Sequence, residues 1–244
     1  MRKIILLLIP LLWSALPVVA PAAEGHDCGL VKCEAVTIDL HDEPSLQRGA
    51  RTFVNYCLSC HSASYMRYNR MARDLGIPED LVKADMMFVT DKIGEPMKVA
   101  MRKEDAKKWF GVTPPDLTLV TRWRSPEWVY TYLRGFYRDD KSATGWNNVV
   151  FPHVAMPHVL YEWQGEQRAV FKANELERLE GVKPGTKKPQ EFDRDMRDLT
   201  NFLVYLGEPA KLDRYRLGVF VLIFLVVFFV FAYLLKKEYW KDVH

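Results

Sequence analysis

The most uniform stretch of the chain lies near its end. Residues 217–235, LGVFVLIFLVVFFVFAYLL, are nineteen positions without a charge. A helix packed in a soluble core would keep one polar stripe, and this segment has none. At about 1.5 Å per residue, a helix of that length covers roughly 28 Å, the thickness of a bilayer's hydrocarbon core. Tyr233, Tyr239 and Trp240 fall where interfacial aromatic rings belong. The pattern predicts a transmembrane anchor over 211–236 and a short tail over 237–244.

The other end is apolar in a different way. MRKIILLLIPLLWSALPVVAPAAEGHD opens on Arg2 and Lys3, runs apolar from Ile4 to Trp13, and then collects small residues at Ala20, Ala22 and Ala23. That order is the layout of a cleaved export signal, predicted here over 1–22. Pro10 and Pro17 argue against a continuous spanning helix. The charges beside the C-terminal anchor orient it poorly, with Arg214 and Arg216 before it and Lys236, Lys237 and Lys241 after it. The export signal decides the orientation. The body, residues 23–210, is expected outside the cytoplasm, and the tail inside.

Within the body two segments show helical spacing. SLQRGARTFVNYC places Leu46, Ala50, Phe53 and Val54 on one face, with Gly49 where a second helix could approach closely. DRDMRDLTNFLVYL does the same with Met196, Leu199, Phe202, Leu203 and Leu206. Residues 70–112 and 162–195 mix acidic and basic groups and are expected to be solvated insertions, the first with helices and with a docking surface as the alternative. GVKPGTKKPQ reads as a turn or hairpin-like loop.

Composition narrows the function. The 244 residues are 49% hydrophobic and 27% charged, enough for a packed core. The net charge of +3 comes from the two ends; residues 24–213 hold 27 basic and 29 acidic groups. No basic patch points to nucleic acid. The acidic run IDLHDE at 38–43 is either solubilising or a steering surface for a basic partner.

The chemistry concentrates in CLSCH, residues 57–61. Two thiols three apart followed by an imidazole suit a disulfide, a zinc site, a redox dithiol or a covalent haem. An exported compartment and the lack of a βαβ setting weigh against zinc and against a thioredoxin-like dithiol. C-x-x-C-H is the pattern that attaches a c-type haem, with each thiol adding to one vinyl group and the histidine held beneath the iron. The remaining pair, Cys28 and Cys33, is open between a small disulfide, free thiols and pairing with another subunit. For the second axial ligand, methionine or histidine is usual. Met66 and Met71 lie too near the attachment site, and Met86, Met87, Met97 and Met101 lie in a charge-rich stretch. Met156 lies 95 residues after His61, between Pro152 and Pro157, which stiffen the loop; His153 and His158 are its rivals.

Four pieces then carry a family resemblance. CLSCHSASYMRYNR at 57–70, PPDLTLVTRWR at 114–124, NVVFPHVAMP at 148–157 and DLTNFLVYLGEP at 198–209 stand in order between signal and anchor. The chain resembles the bacterial-type cytochrome c1 family, the haem subunits of the cytochrome bc1 complex (ubiquinol–cytochrome c oxidoreductase). His158 stands where many relatives have further prolines. The resemblance implies a mainly α fold: a cytochrome c-like haem domain with insertions plus one C-terminal transmembrane helix. It implies one covalent haem c, with thioether bonds from Cys57 and Cys60 and axial ligands His61 and Met156. It also implies a haem propionate on Arg124, a pocket wall at Pro115, and Asp116 as a cap for the next helix. Implied partners are cytochrome b, the Rieske iron–sulfur protein, a c-type cytochrome acceptor and membrane lipid, with no nucleic acid. The implied role is one-electron transfer in a respiratory chain, at the inner membrane with the haem domain in the periplasm. The chain would be a subunit of an enzyme complex rather than an enzyme on its own. The alternative is the haem subunit of another membrane oxidase or dehydrogenase.

Overall fold

The computed structural model describes residues 27–242 except residue 174. The expected signal, residues 1–22, and the last two residues of the tail lie outside the described residues. In chain order the elements are α1 (Glu43–Thr52), a π turn (Phe53–Cys57), β1 (Ala63–Arg67), α2 (Tyr68–Asp74), α3 (Glu79–Asp85), β2 (Pro96–Met97) and α4 (Lys103–Phe110). There follow α5 (Val120–Trp123), α6 (Pro126–Arg134), β3 (Phe136–Arg138), β4 (Trp146–Asn148) and α7 (Tyr161–Gln164). The last are β5 (Gly165–Lys172), β6 (Glu175–Pro184), α8 (Pro189–Gly207) and α9 (Lys211–Tyr239). Among the described residues the fold is mainly α, with three antiparallel strand pairs: β1 with β2, β3 with β4, and β5 with β6.

The core is the crossing of α1 and α8. Asp42 starts α1 by accepting from the Ser45 backbone N–H at 3.0 Å, and a proline occupies the first turn. Leu46, Ala50, Phe53 and Val54 are buried, and so are all five apolar positions expected on α8. Gly49 makes the crossing possible. A Cβ there would sit 2.2 Å from the Asp198 carbonyl oxygen and 2.6 Å from Phe202 Cβ. Around the contact, Phe53 and Phe202 pack at 5.6 Å between ring centres. The buried Asp198 carboxylate is satisfied by Ser45 Oγ at 2.7 Å and Arg48 Nε at 2.6 Å. A buried carboxylate without such donors would be costly, so the bonds from Ser45 and the partly exposed Arg48 belong to the crossing. Helix α6 packs on α8 beside this crossing.

The insertions follow expectation in part. Residues 70–112 form short helices with largely exposed faces and a small β1–β2 contact. Met66, Met71, Met86, Met87 and Met97 are buried core residues. The second insertion shifts the expected turn. GVKP belongs to strand β6, which pairs with β5, and only residues 185–188 form a bend, joining β6 to α8. Pro184 is tolerated there because it ends β6, a strand with one unpaired edge. The acidic run is also partly local: Asp42 caps α1, and Asp39 accepts from the His41 backbone N–H at 2.8 Å.

Cys28 and Cys33 form a disulfide with Cα atoms 5.3 Å apart. The loop it closes lies on the segment after β4: the Leu30 N–H donates to the Val149 carbonyl at 2.8 Å. Gly29, at φ +66°, passes so close that a Cβ would lie 2.5 Å from the Val150 oxygen. The N-terminal segment is thereby fixed to the start of FPHVAMP. Helix α9 is 29 residues long with a mean hydropathy of 3.0 over its most apolar window, none of which is buried. An exposed surface of that kind needs a membrane.

Candidate haem-binding site

The site begins where α1 loosens. The π turn Phe53–Cys57 widens the last turn of the helix, with the Leu58 N–H reaching five residues back to Phe53 at 2.9 Å. The chain then folds tightly: the Cys60 and His61 N–H groups both reach the Cys57 carbonyl, at 3.0 and 2.8 Å. Cys57 is buried and Cys60 half-buried, and both thiols are free. Cys28 and Cys33 are spent on their disulfide. Among the described residues no group of three or more His, Cys, Asp or Glu side chains is placed to hold a metal ion. The zinc reading of the two cysteine pairs has therefore lost its ligands. Burial pushes the Cys57 thiol up to about 12, with Cys60 adding to the shift.

His61 is held from behind. Its Nδ1 lies 2.7 Å from the Pro115 carbonyl oxygen. Burial lowers its pKa, against the opposing pull of the Pro115 carbonyl and of Asp116. The neutral imidazole is the form that ligates a metal. Asp116 departs from its expected role as a helix cap. One of its oxygens accepts from the Thr118 N–H at 2.8 Å, and the other reaches back to the Ser64 N–H at 2.8 Å. It ties the PPDL turn to the strand that follows CLSCH, while Leu119 occupies the cap position of α5.

A cavity of about 300 Å³ lies against these groups. That is at the lower end of the range for cofactor pockets. Cys57, Cys60, His61, Pro115, Arg124 and Met156 all line it, although they come from positions up to a hundred residues apart. The walls are otherwise apolar, with Leu117, Val129, Leu199 and Leu203 among them. Of the three candidates for the second ligand, Met156 lines the cavity and the histidines do not. His153 is exposed at φ 62°. His158 is buried, stacked flat on Phe136 at 4.8 Å and edge-on to Trp146 at 5.0 Å. Burial holds its pKa near 4, so it is a neutral packing residue.

Arg124 has a buried Nε with no hydrogen-bond partner. Its guanidinium lies over the rings of Trp123 at 4.2 Å and Trp128 at 4.8 Å. A cationic fork with an orphaned donor beside an apolar cavity asks for an anion. Two free thiols, an imidazole with one nitrogen engaged, a thioether and this donor are a set that fits haem c.

The sequence did not single out Tyr132, whose hydroxyl donates to Met156 Sδ at 3.3 Å. Nor did it single out Trp128, Tyr56 or Leu203 as wall residues. The one available signal was the spacing of Trp128, Tyr132 and Phe136, four residues apart along α6 and just past it.

Comparison with known proteins agrees. The model of the cytochrome C1 family matches residues 34–243. The chain belongs to the cytochrome c1 family. It is 52% identical over 251 residues to cytochrome c1 of Allochromatium vinosum, with all of both chains covered. It is 47% identical over 244 residues to a protein of Nitrosomonas europaea named ammonia monooxygenase gamma subunit, again over both whole chains. Cytochrome c1 of Rhodospirillum rubrum is 27% identical, covering 83% of each chain. Cytochrome c1 is the haem subunit of the bc1 complex, a membrane-anchored respiratory electron carrier with one covalent haem c.

Proposed function

We propose that this chain accepts one electron from the Rieske iron–sulfur subunit and passes it to a periplasmic c-type cytochrome, as the haem subunit of a ubiquinol–cytochrome c oxidoreductase. The observation that carries the reading is the convergence of Cys57, Cys60, His61 and Met156 on one apolar cavity. When bound, haem c supplies a one-electron iron couple at that place. Cys57 and Cys60 would hold it by thioether bonds. His61 would ligate through Nε2 and Met156 through Sδ. Arg124 would bind a propionate, and Pro115 would wall the pocket and fix His61.

Each group has a physical task. A methionine–histidine pair raises the potential relative to two histidines, which suits an acceptor placed after a Rieske centre. With His61 and Met156 both ligating, the iron would be closed to substrates, and the chain would serve its complex as a carrier rather than as an enzyme on its own. The apolar walls keep water out, and Arg124 would favour the reduced state by offsetting propionate charge. Trp123, Phe151 and Val112 line the cavity and are exposed, a rim suited to brief docking of redox partners.

The proposed organisation is a signal at 1–22, a periplasmic haem domain at 23–210, an inner-membrane anchor at 211–236 and a cytoplasmic tail at 237–244. Cytochrome b would be the partner within the membrane. The test is purification of the chain from native membranes in mild detergent. Recovery with a cytochrome b and a Rieske protein, and reduction of the chain by added quinol, supports the reading. The name of the 47%-identical relative, ammonia monooxygenase gamma subunit, favours a second one, a subunit of a different enzyme. Recovery with such an enzyme, and with no cytochrome b, would replace the first.

A further inference from the structure

Tyr132 occupies a fixed place. Its ring stacks on Trp128 at 5.0 Å and 10°, and meets Phe136 edge-on at 5.2 Å. Its backbone carbonyl accepts from Asn148 Nδ2 at 2.8 Å. Asn148 also holds the loop that leads to Met156, because its Oδ1 accepts from the Val150 N–H at 2.8 Å. The neighbouring Asn147 does the same for the His153 N–H at 2.9 Å. Helix α6 and the methionine loop are therefore tied together by backbone and side-chain bonds a few residues from where the Tyr132 hydroxyl meets Met156 Sδ.

We propose that Tyr132 is a positioning residue for the Met156 thioether: its hydroxyl occupies one sulfur lone pair, aims the other into the cavity and draws electron density off the sulfur. The inference rests on the proposed role of Met156 as an axial ligand. A thioether has two lone pairs and is a weak acceptor, so a ligating sulfur can still take one hydrogen bond. A hydrogen bond donated to a ligand makes it a poorer donor. The ferric state depends on that donation more than the ferrous state does. The bond thus raises the midpoint potential, and it restrains a side chain that otherwise has three free torsions.

The experiment compares wild-type, Tyr132→Phe and Tyr132→Leu holoproteins in detergent. Ligation by methionine is read first, from the red charge-transfer band of methionine-bound ferric haem. The potential is read by redox titration, and ligand restraint by the affinity of the ferric protein for added imidazole. Tyr132→Phe keeps the stacked ring and loses only the hydroxyl. It should lower the potential, shift the band and change imidazole binding by about three- to tenfold, the scale of one lost hydrogen bond. Tyr132→Leu should give at least as large an effect. A Tyr132→Phe protein matching wild type in all three readings would overturn the inference and leave the Met156 assignment standing, even if Tyr132→Leu differed. Absence of the band in the wild-type protein would overturn both.

Discussion

His61 Nδ1 and the Pro115 carbonyl oxygen lie 2.7 Å apart. A carbonyl can only accept, so Nδ1 carries the proton and Nε2 is left with its lone pair. The contact fixes the tautomer and the ring plane together. Pro115 thus acts through its backbone more than through its ring.

This separates two substitutions. Pro115→Ala keeps the carbonyl and should leave the spectrum and midpoint close to wild type. Pro115→Gly keeps it too but frees the turn, at a cost of about 0.5–1 kcal/mol of stability. Denaturant titration of the holoprotein measures the second effect. A large potential shift in Pro115→Ala would show that the ring itself sets the site.

Arg124 is the next test. Its Nε is buried and has no partner in the protein. If a propionate fills that gap, Arg124→Gln removes a charge-assisted hydrogen bond of about 1.5–3 kcal/mol. Unfolding should come at lower denaturant, and the midpoint should fall, because a positive charge near the iron has gone. Arg124→Lys should fall between, keeping the charge and losing the planar fork. An Arg124→Gln protein with both quantities unchanged would leave Arg124 as a packing residue.

The helix crossing can be probed away from the cavity. At Gly49 a new Cβ would lie 2.2 Å from the Asp198 carbonyl oxygen, which is backbone and cannot swing aside. Gly49→Ala should push α1 off α8 and cost about 1–3 kcal/mol, the usual scale of overpacking. A lowered thermal midpoint in detergent is the expected reading. A wild-type midpoint would mean that the two helices do not meet as described.

Much of this was legible in the sequence where the signal was local. The anchor and CLSCH are contiguous, and contiguous patterns need no knowledge of the fold. The buried faces of α1 and α8 follow from spacing, and Gly49 from its place on one of them. Signals that depended on a distant partner were misread or missed. Asp116 looked like a helix cap because it precedes α5, yet its second oxygen reaches Ser64, 52 residues away. GVKP looked like part of a turn, but β5 pairs with it as a strand. Tyr132 carried no motif at all, and only the folded chain brings its hydroxyl to Met156.

Asp116 also carries a pH dependence. Burial raises its pKa, but hydrogen bonds from Thr118 and Ser64 outweigh it and leave the carboxyl below its usual value. A depressed folded pKa contributes stability that is present above the unfolded value. That stability is lost as the pH falls from there through the folded value. Thermal melts from about pH 6 down to about pH 3 should show a loss at the acid end that is smaller in Asp116→Asn. Because the side chain is exposed, the difference should be modest. Parallel acid profiles for the two proteins would remove Asp116 from the account.

Met156, which lines the cavity with Cys57, Cys60 and His61, would be the second ligand to a haem iron there. Redox titration of Met156→Ala, with carbon monoxide added to the reduced protein, tests it most directly. The account predicts haem still attached, since Cys57 and Cys60 are untouched, together with a sharply lowered midpoint and ready carbon monoxide binding. An unchanged midpoint with no carbon monoxide binding would contradict it.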